Sequence, residues 1–413
     1  MKRKMIIVFV CIMAIALGIF IDKSADSDME KEKNKMKVSK REKVYEDNRL
    51  EQLLTELEGN YEDESATEIE VDKNVESQGF TSLKYAAYID GGFYVYNPLD
   101  YLVSFIDKKT CKMMPLCSKP DCFHDNMECD AYFLRLDAIF VYGEKLYIVA
   151  DDVATSSKCL YEMNRDGSGI TMIRSLFSIE SKDLNIGIGY EMHKGCLYMI
   201  INFMYDDYNK KDDAIMYCFP LDSKERKEIF KLTEYHAGIG ITNFDGDNIY
   251  INSTYYSEYD FTSEEIIKNY CYNIKTESIT EIKIPDGHYL QACFDGKMSS
   301  DYNEMDEEYN FQKYEAYYSD LDGKNSKCIY SDKNFGMRGY CVDSSYRYFI
   351  TEKKDKKYLM VVSHDGEKLY ETEAKDYYMI WSDKEDVLLK SETTERYALY
   401  NIKSGKIREV WEK

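Results

Sequence analysis

One pattern recurs along this chain, and its clearest copy starts at Gly143: GEKLYIVADDVATSSKCLYEMNRDGSGITMI. An alternating run, Lys145 to Val149, meets a polar loop. A second run, Cys159 to Met163, leads through a glycine-rich turn at Arg165 to Gly169 into a third, Ile170 to Ile173. Alternation with a period of two places successive side chains on opposite faces of a strand, so the copy reads as a β-meander. With the second strand of each copy as the ruler, segments align at Gly91, Gly143, Lys194 and Gly246, with weaker copies at Asp295, Ser345 and Lys384. Each is followed by a hairpin such as LVSFIDKKTCKMM, YCYNIKTESITEI or LYNIKSGKIREVW, whose polar or glycine-bearing turns accept positive φ.

A unit of this size exposes both faces of its sheet and buries them only against a neighbour, so the repeats predict one all-β domain over residues 77–413. Seven four-stranded units of about 47 residues suit a β-propeller, with six or eight blades also open because the fifth copy is degenerate. Five prolines and 39 tyrosines fit short half-buried strands rather than disorder. The last unit looks complete by itself, so Glu68 to Val71 are expected to supply a closing strand. The motif LYEMNRDGSGITMI resembles exported bacterial propellers of the TolB-like and YVTN-like sort. That resemblance, over roughly Phe80 to Trp411, implies a blade architecture and no particular activity.

Ahead of the repeats, Met5 to Ile21 is an apolar run preceded by Lys2, Arg3 and Lys4. It predicts a signal anchor, or a signal peptide removed on export, over residues 1–21. The expectation is a propeller outside the cell, held at the membrane or secreted. Residues 22–76 have the composition of a charged tether. Within it Val44, Leu50, Leu53, Leu54 and Leu57 predict a short amphipathic helix over about 40–58.

Cys117, Cys122, His124 and Cys129 fall in LCSKPDCFHDNMEC, between the first unit and the second. Three thiolates and an imidazole are a donor set for tetrahedral zinc, although this spacing departs from paired C-x2-C knuckles. Disulfides pinning the loop, natural outside the cell, and free thiols are the other two readings. The segment also resembles one found in uncharacterised exported bacterial propellers, which implies no function. The remaining cysteines mostly stand singly in strand-like runs, as small buried hydrophobes do.

In a four-stranded antiparallel blade the connection from second to third strand emerges on the same side as the link to the next blade. The cysteine loop is therefore expected to share a face with those connections. Three of them are rich in tyrosine and acid: Tyr205, Asp206, Asp207 and Tyr208; then Tyr255, Tyr256, Tyr259 and Asp260; then Tyr302, Glu304 and Asp306. They predict a recognition face for a basic protein segment, a glycan or a cation. The formal charge of −22 argues against nucleic acid as a partner. Asp245-Gly246-Asp247 and Asp320-Leu321-Asp322-Gly323 lack the rest of a calcium loop and read as hairpin turns.

The chain has no G-x-S-x-G, H-E-x-x-H, phosphate-loop or dinucleotide motif. His193, His236, His288 and His364 lie beside predicted turns and read as solvated. Two functional classes follow: a binding or scaffold module, or an enzyme acting on a glycan or peptide at the central channel. An enzyme should place converging carboxylates or a histidine at the channel mouth.

Overall fold

The computed structural model describes residues 84–412, apart from 90, 179–184, 206–208, 260–262, 306–310, 334–338, 355 and 383–384. The expected anchor, tether, helix and Glu68–Val71 strand lie outside the described residues. Those described are all-β, with strands and turns and no helix. No helix among them is long and apolar enough to cross a membrane.

The strands form six antiparallel sheets: four of four strands, one of seven, and one of four consecutive strands joined by a short parallel fifth. Counting one shared strand twice, they contain seven four-stranded units in chain order. Their second strands are Gly92–Asn97, Lys145–Asp152, Cys196–Met204, Asn248–Tyr256, Lys297–Met305, Tyr346–Lys353 and Asp386–Ser391. All seven fall where the repeat was aligned, including the degenerate fifth copy. The Asp245–Asp247 and Asp320–Gly323 segments are hairpin turns, with Gly246 and Gly323 at positive φ.

One strand departs from the expectation of separate units. Lys227–Asp245 runs for 19 residues, pairing as the outer strand of the third unit and then as the first strand of the fourth. The segment KEIFKLTEYHAGIGITNFD has no turn signal before Gly238, so the chain bends without leaving the strand. The bend sits at a register shift between Tyr235 and Gly238, where His236 takes a left-handed φ of 53°.

The apolar core lies between units. Phe93, Val95 and Ile106 of the first unit pack with Trp381, Leu388 and Leu399 of the seventh. Tyr94 and Val103 pack with Leu146 and Ile148 of the second unit, and Val149 and Leu160 with Leu197 and Ile215 of the third. Tyr348 and Leu359 of the sixth unit likewise meet Leu389 and Tyr400 of the seventh. The last unit holds four consecutive strands, after which Trp411–Glu412 pairs in parallel with Lys112–Pro115 of the first.

Amide side chains stitch neighbouring units at the backbone. Asn202 of the third unit donates to the Ile239 carbonyl (3.2 Å) and accepts from the Ile239 amide (3.1 Å). Asn243 of the fourth makes the same pair with Cys293 of the fifth, at 2.6 and 2.9 Å. Each satisfies a carbonyl and an amide that sheet pairing leaves over.

A buried ion pair joins the fifth unit to the sixth. Arg347, fully enclosed, donates to Ser299 Oγ (2.6 Å), Asp301 Oδ1 (2.5 Å) and the Tyr314 hydroxyl (3.2 Å), and that hydroxyl donates to Asp301 Oδ1 (2.9 Å). Burial pushes the Asp301 carboxyl above its ordinary range even beside the guanidinium. Arg347→Met should therefore destabilise the protein by about 3–5 kcal/mol in urea denaturation, because it strands the carboxylate. Asp301→Leu added to Arg347→Met should recover most of that loss.

His193 corrects the expectation of a solvated ring. It is 4% exposed, stacks on Phe244 at 4.4 Å and hydrogen-bonds through Nε2 to the Gly246 carbonyl (2.8 Å). Burial pushes its pKa down from 6.5 to about 4. The unfolded chain thus binds the proton first, and the neutral ring's contribution is complete above pH 6.5 and lost as pH falls towards 4. The loss at this site should be at most about 3 kcal/mol, and His193→Gln should lessen the fall of the denaturation midpoint between pH 6.5 and 4, a fall that His364, also pushed down to about 4 by burial, shares.

Candidate metal centre and loop face

The cysteine loop leaves the first unit after Pro115 and enters the second at Ala138. It is anchored through its apolar residues, because Leu116, Ala131, Phe133 and Leu136 enter the cluster between these two units. Backbone bonds fasten it further: Val103 N to Ala131 O (2.8 Å), Leu116 N to Val103 O (2.9 Å) and Phe133 N to Tyr101 O (2.9 Å). The RDGSG turn packs so tightly on it that a Cβ at Gly167, φ 85°, would lie 2.4 Å from the Leu116 carbonyl oxygen. Glycine there serves both the turn and the approach.

On this frame Cys117, Cys122, His124 and Cys129 converge, with one donor atom from each and all four within 4.8 Å of one another. His124 turns back at a φ of 59°, setting Nδ1 3.3 Å from Cys129 Sγ. The Ala131 amide donates to Cys129 Sγ at 3.4 Å. Around Cys117, burial raises the thiol pKa, but the Lys119 and Asp130 amides and the Cys129 and Cys122 thiols outweigh it and hold the group below its usual value. Burial, aided by Cys122 and Cys117, pushes Cys129 up to about 12. Lys119 pairs with Asp130 at 2.8 Å across the base of the loop.

This cluster could hold a metal ion. A disulfide needs two of its sulfurs and has no use for the imidazole, whereas a four-donor site uses all of them. Every described cysteine is a free thiol. Cys111, in the turn before the strand Lys112–Pro115, is buried between the first and seventh units.

The described residues of the tyrosine- and acid-rich connections differ in burial and in partners. Tyr205 is a core residue at 6% exposure, in the cluster between the second and third units. Its amide donates to Asp212 Oδ1 (2.7 Å), and Lys210 Nζ lies 3.7 Å from its ring centre. Tyr255 is half-buried against the cluster of the third and fourth units. Tyr256 and Tyr259 gather around His236, at ring distances of 5.9 and 5.1 Å, and the His236 Nε2–H donates to the Tyr259 carbonyl (2.6 Å). Tyr302 belongs to another group: it packs on His288 (5.5 Å), which also meets Tyr317 (4.8 Å), while Glu304 is exposed. Asp206, Asp207, Tyr208, Asp260 and Asp306 lie outside the described residues.

The histidine groups escaped the sequence reading. Each ring is joined by a tyrosine paired across a hairpin, His288 directly opposite Tyr302 and Tyr256 opposite Tyr235, next to His236. A histidine opening a first strand with a tyrosine opposite was the available signal.

No family model matches the chain, and no curated protein matches it in sequence. Solved structures do match in fold. The β-propeller domain of the trilobed protease from Pyrococcus furiosus aligns with a TM-score of 0.50 at 12% identity, over 81% of this chain and 98% of that one. The fold is propeller-like. Pyrococcus horikoshii acylaminoacyl peptidase aligns with a TM-score of 0.52 at 10% identity, over 84% of this chain, which spans about half (54%) of the peptidase. TolB from Acinetobacter baumannii gives a shallower match: TM-score 0.36, 13% identity, 67% of this chain and 61% of that one.

The placement of Tyr205 makes a distinction measurable. Tyr205→Ala should cost about 3–5 kcal/mol in chemical denaturation, as truncation of a buried aromatic does, whereas Tyr259→Ala on the half-buried rim should cost less.

Proposed function

We propose that this protein is a seven-bladed β-propeller that works outside the cytoplasm as a binding or scaffold module, with a structural zinc ion in its cysteine loop. Residues 1–21 would hold it at the membrane, or be removed on export, and residues 22–76 would form the tether. Ring closure is supported by the apolar cluster common to the first and seventh units and by the Trp411–Glu412 pairing. Lys108 of the first unit also pairs with Asp386 of the seventh at 2.8 Å. Faces and an outer-edge strand, rather than an exchanged strand, would then close the ring.

The convergence of four donors within 4.8 Å carries the zinc reading. Zinc takes three thiolates and one imidazole in closed structural sites, and amide N–H···S bonds offset the charge that the thiolates carry. Cys117, Cys122, His124 and Cys129 would hold it, fixing a loop beside the connections that are free to bind. With a formal charge of −22, the partner we favour is a protein or glycan at the cell surface rather than nucleic acid.

A second reading, an enzyme acting on a glycan or peptide at the channel, draws on one observation. His236 stands at the bend into the first strand of the fourth unit, with Nδ1 3.9 Å from Asp212 Oδ2, and His288 opens the first strand of the fifth.

The purified full chain, kept reduced, should carry about one zinc per molecule by elemental analysis, and Cys117→Ser or His124→Ala should lose it. Metal-free protein whose loop cysteines all alkylate at once would refute the zinc site.

A further inference from the structure

A cavity of 630 Å³ adjoins the cysteine cluster, with Cys129 in their common wall. One wall is the loop from Met127 to Leu134. The other is the second-to-third-strand turn of the second unit, Asp151 to Val153, with Tyr161 and Ile170. The two loops that frame it therefore emerge on one side, as the strand order of a four-stranded unit requires. Its volume is that of a small-ligand site.

The lining has two kinds of surface. Tyr132, Phe133, Leu134, Tyr161 and Ile170 give an aromatic and aliphatic floor. Around it stand four carboxylates, of which two are neutralised: Asp130 by Lys119 and Asp151 by Lys158. Glu128 and Asp152 have no ion-pair partner among the described residues. Asp152 Oδ1 accepts the Ala154 amide at 2.9 Å, which fixes its carboxylate at the mouth. Exposed apolar side chains stand at the edge: Met127 at 66% and Val153 at 52%, with Phe123 on the same loop at 90%. Exposed apolar groups beside a concave site are the mark of a protein contact rather than of a soluble metabolite.

We propose that this cavity receives the side chain of a lysine or arginine from an extended peptide whose neighbouring residues are apolar. The methylene stem would lie over Tyr132 and Tyr161, the cationic end would reach Glu128 and Asp152, and flanking apolar residues would cover Met127 and Val153. Lys119, also in the lining, is already held by Asp130 and the Glu128 carbonyl, which leaves the two carboxylates as the charge offered to a ligand. The proposal deepens the binding-module reading by naming its site and ligand chemistry, and it places recognition between the first two units rather than over the third to fifth.

The test is fluorescence anisotropy with the full chain and an acetylated, fluorescein-labelled leucine-lysine-leucine peptide. A matched peptide with norleucine in place of lysine, and free spermidine as competitor, complete it. Saturable binding of the lysine peptide only is expected. Asp152→Asn keeps the acceptor for the Ala154 amide and should weaken binding about fivefold, the worth of one exposed charge pair. Val153→Lys, at an exposed position, should abolish it, with the thermal midpoint and metal content unchanged in both variants. Equal binding of the norleucine peptide, or unchanged affinity in both variants, would overturn the site and leave the zinc loop and the binding-module reading standing. Displacement by spermidine at lower concentration than by unlabelled peptide would overturn the peptide assignment.

Discussion

The apolar faces of successive sheets bury one another, and the other features of the molecule rest on that contact. A four-stranded antiparallel sheet with strands mostly of four to ten residues has two faces and no interior. Val149, Leu197 and Ile215, or Phe93, Trp381 and Leu399, leave water only because the neighbouring unit lies against them. Burial of this kind is non-directional and scales with area, so it tolerates the wide sequence variation among copies while demanding that each copy keep its alternation.

Directional interactions then fix how the faces sit. Asn202 and Asn243 each present an amide that copies a strand's own donor and acceptor, so one unit is held to the next at a single height. Arg347 and Asp301 do so with charge, where the desolvation of both ions offsets much of their attraction. Such a pair adds little net stability but makes a misaligned interface expensive.

With the strands committed to the interfaces, the connections carry the chemistry. The cysteine loop is held at both ends by apolar residues wedged between two units, and its backbone pairs with the first unit at Leu102 and Val103. The donor cluster and the neighbouring cavity are thus positioned by the same packing. A loop fastened in this way would lose little entropy on binding.

The alternation and the turn residues were enough, from sequence alone, to locate the second strand of every unit, because both are set by local backbone geometry. The cysteine and histidine spacing was legible as a donor set for the same reason: four residues within thirteen positions have short chain to cross. The shared strand Lys227–Asp245, the burial of His193 and Tyr205, the Arg347–Asp301 pair and the walls of the cavity were not legible. Each joins residues from different units or depends on which face of a strand meets a neighbour. Tyr205 reads as a surface tyrosine in a polar stretch, yet it lies in the core between the second and third units. Those outcomes belong to the tertiary structure, since the side on which a residue is buried is decided by what packs there and not by the residue itself.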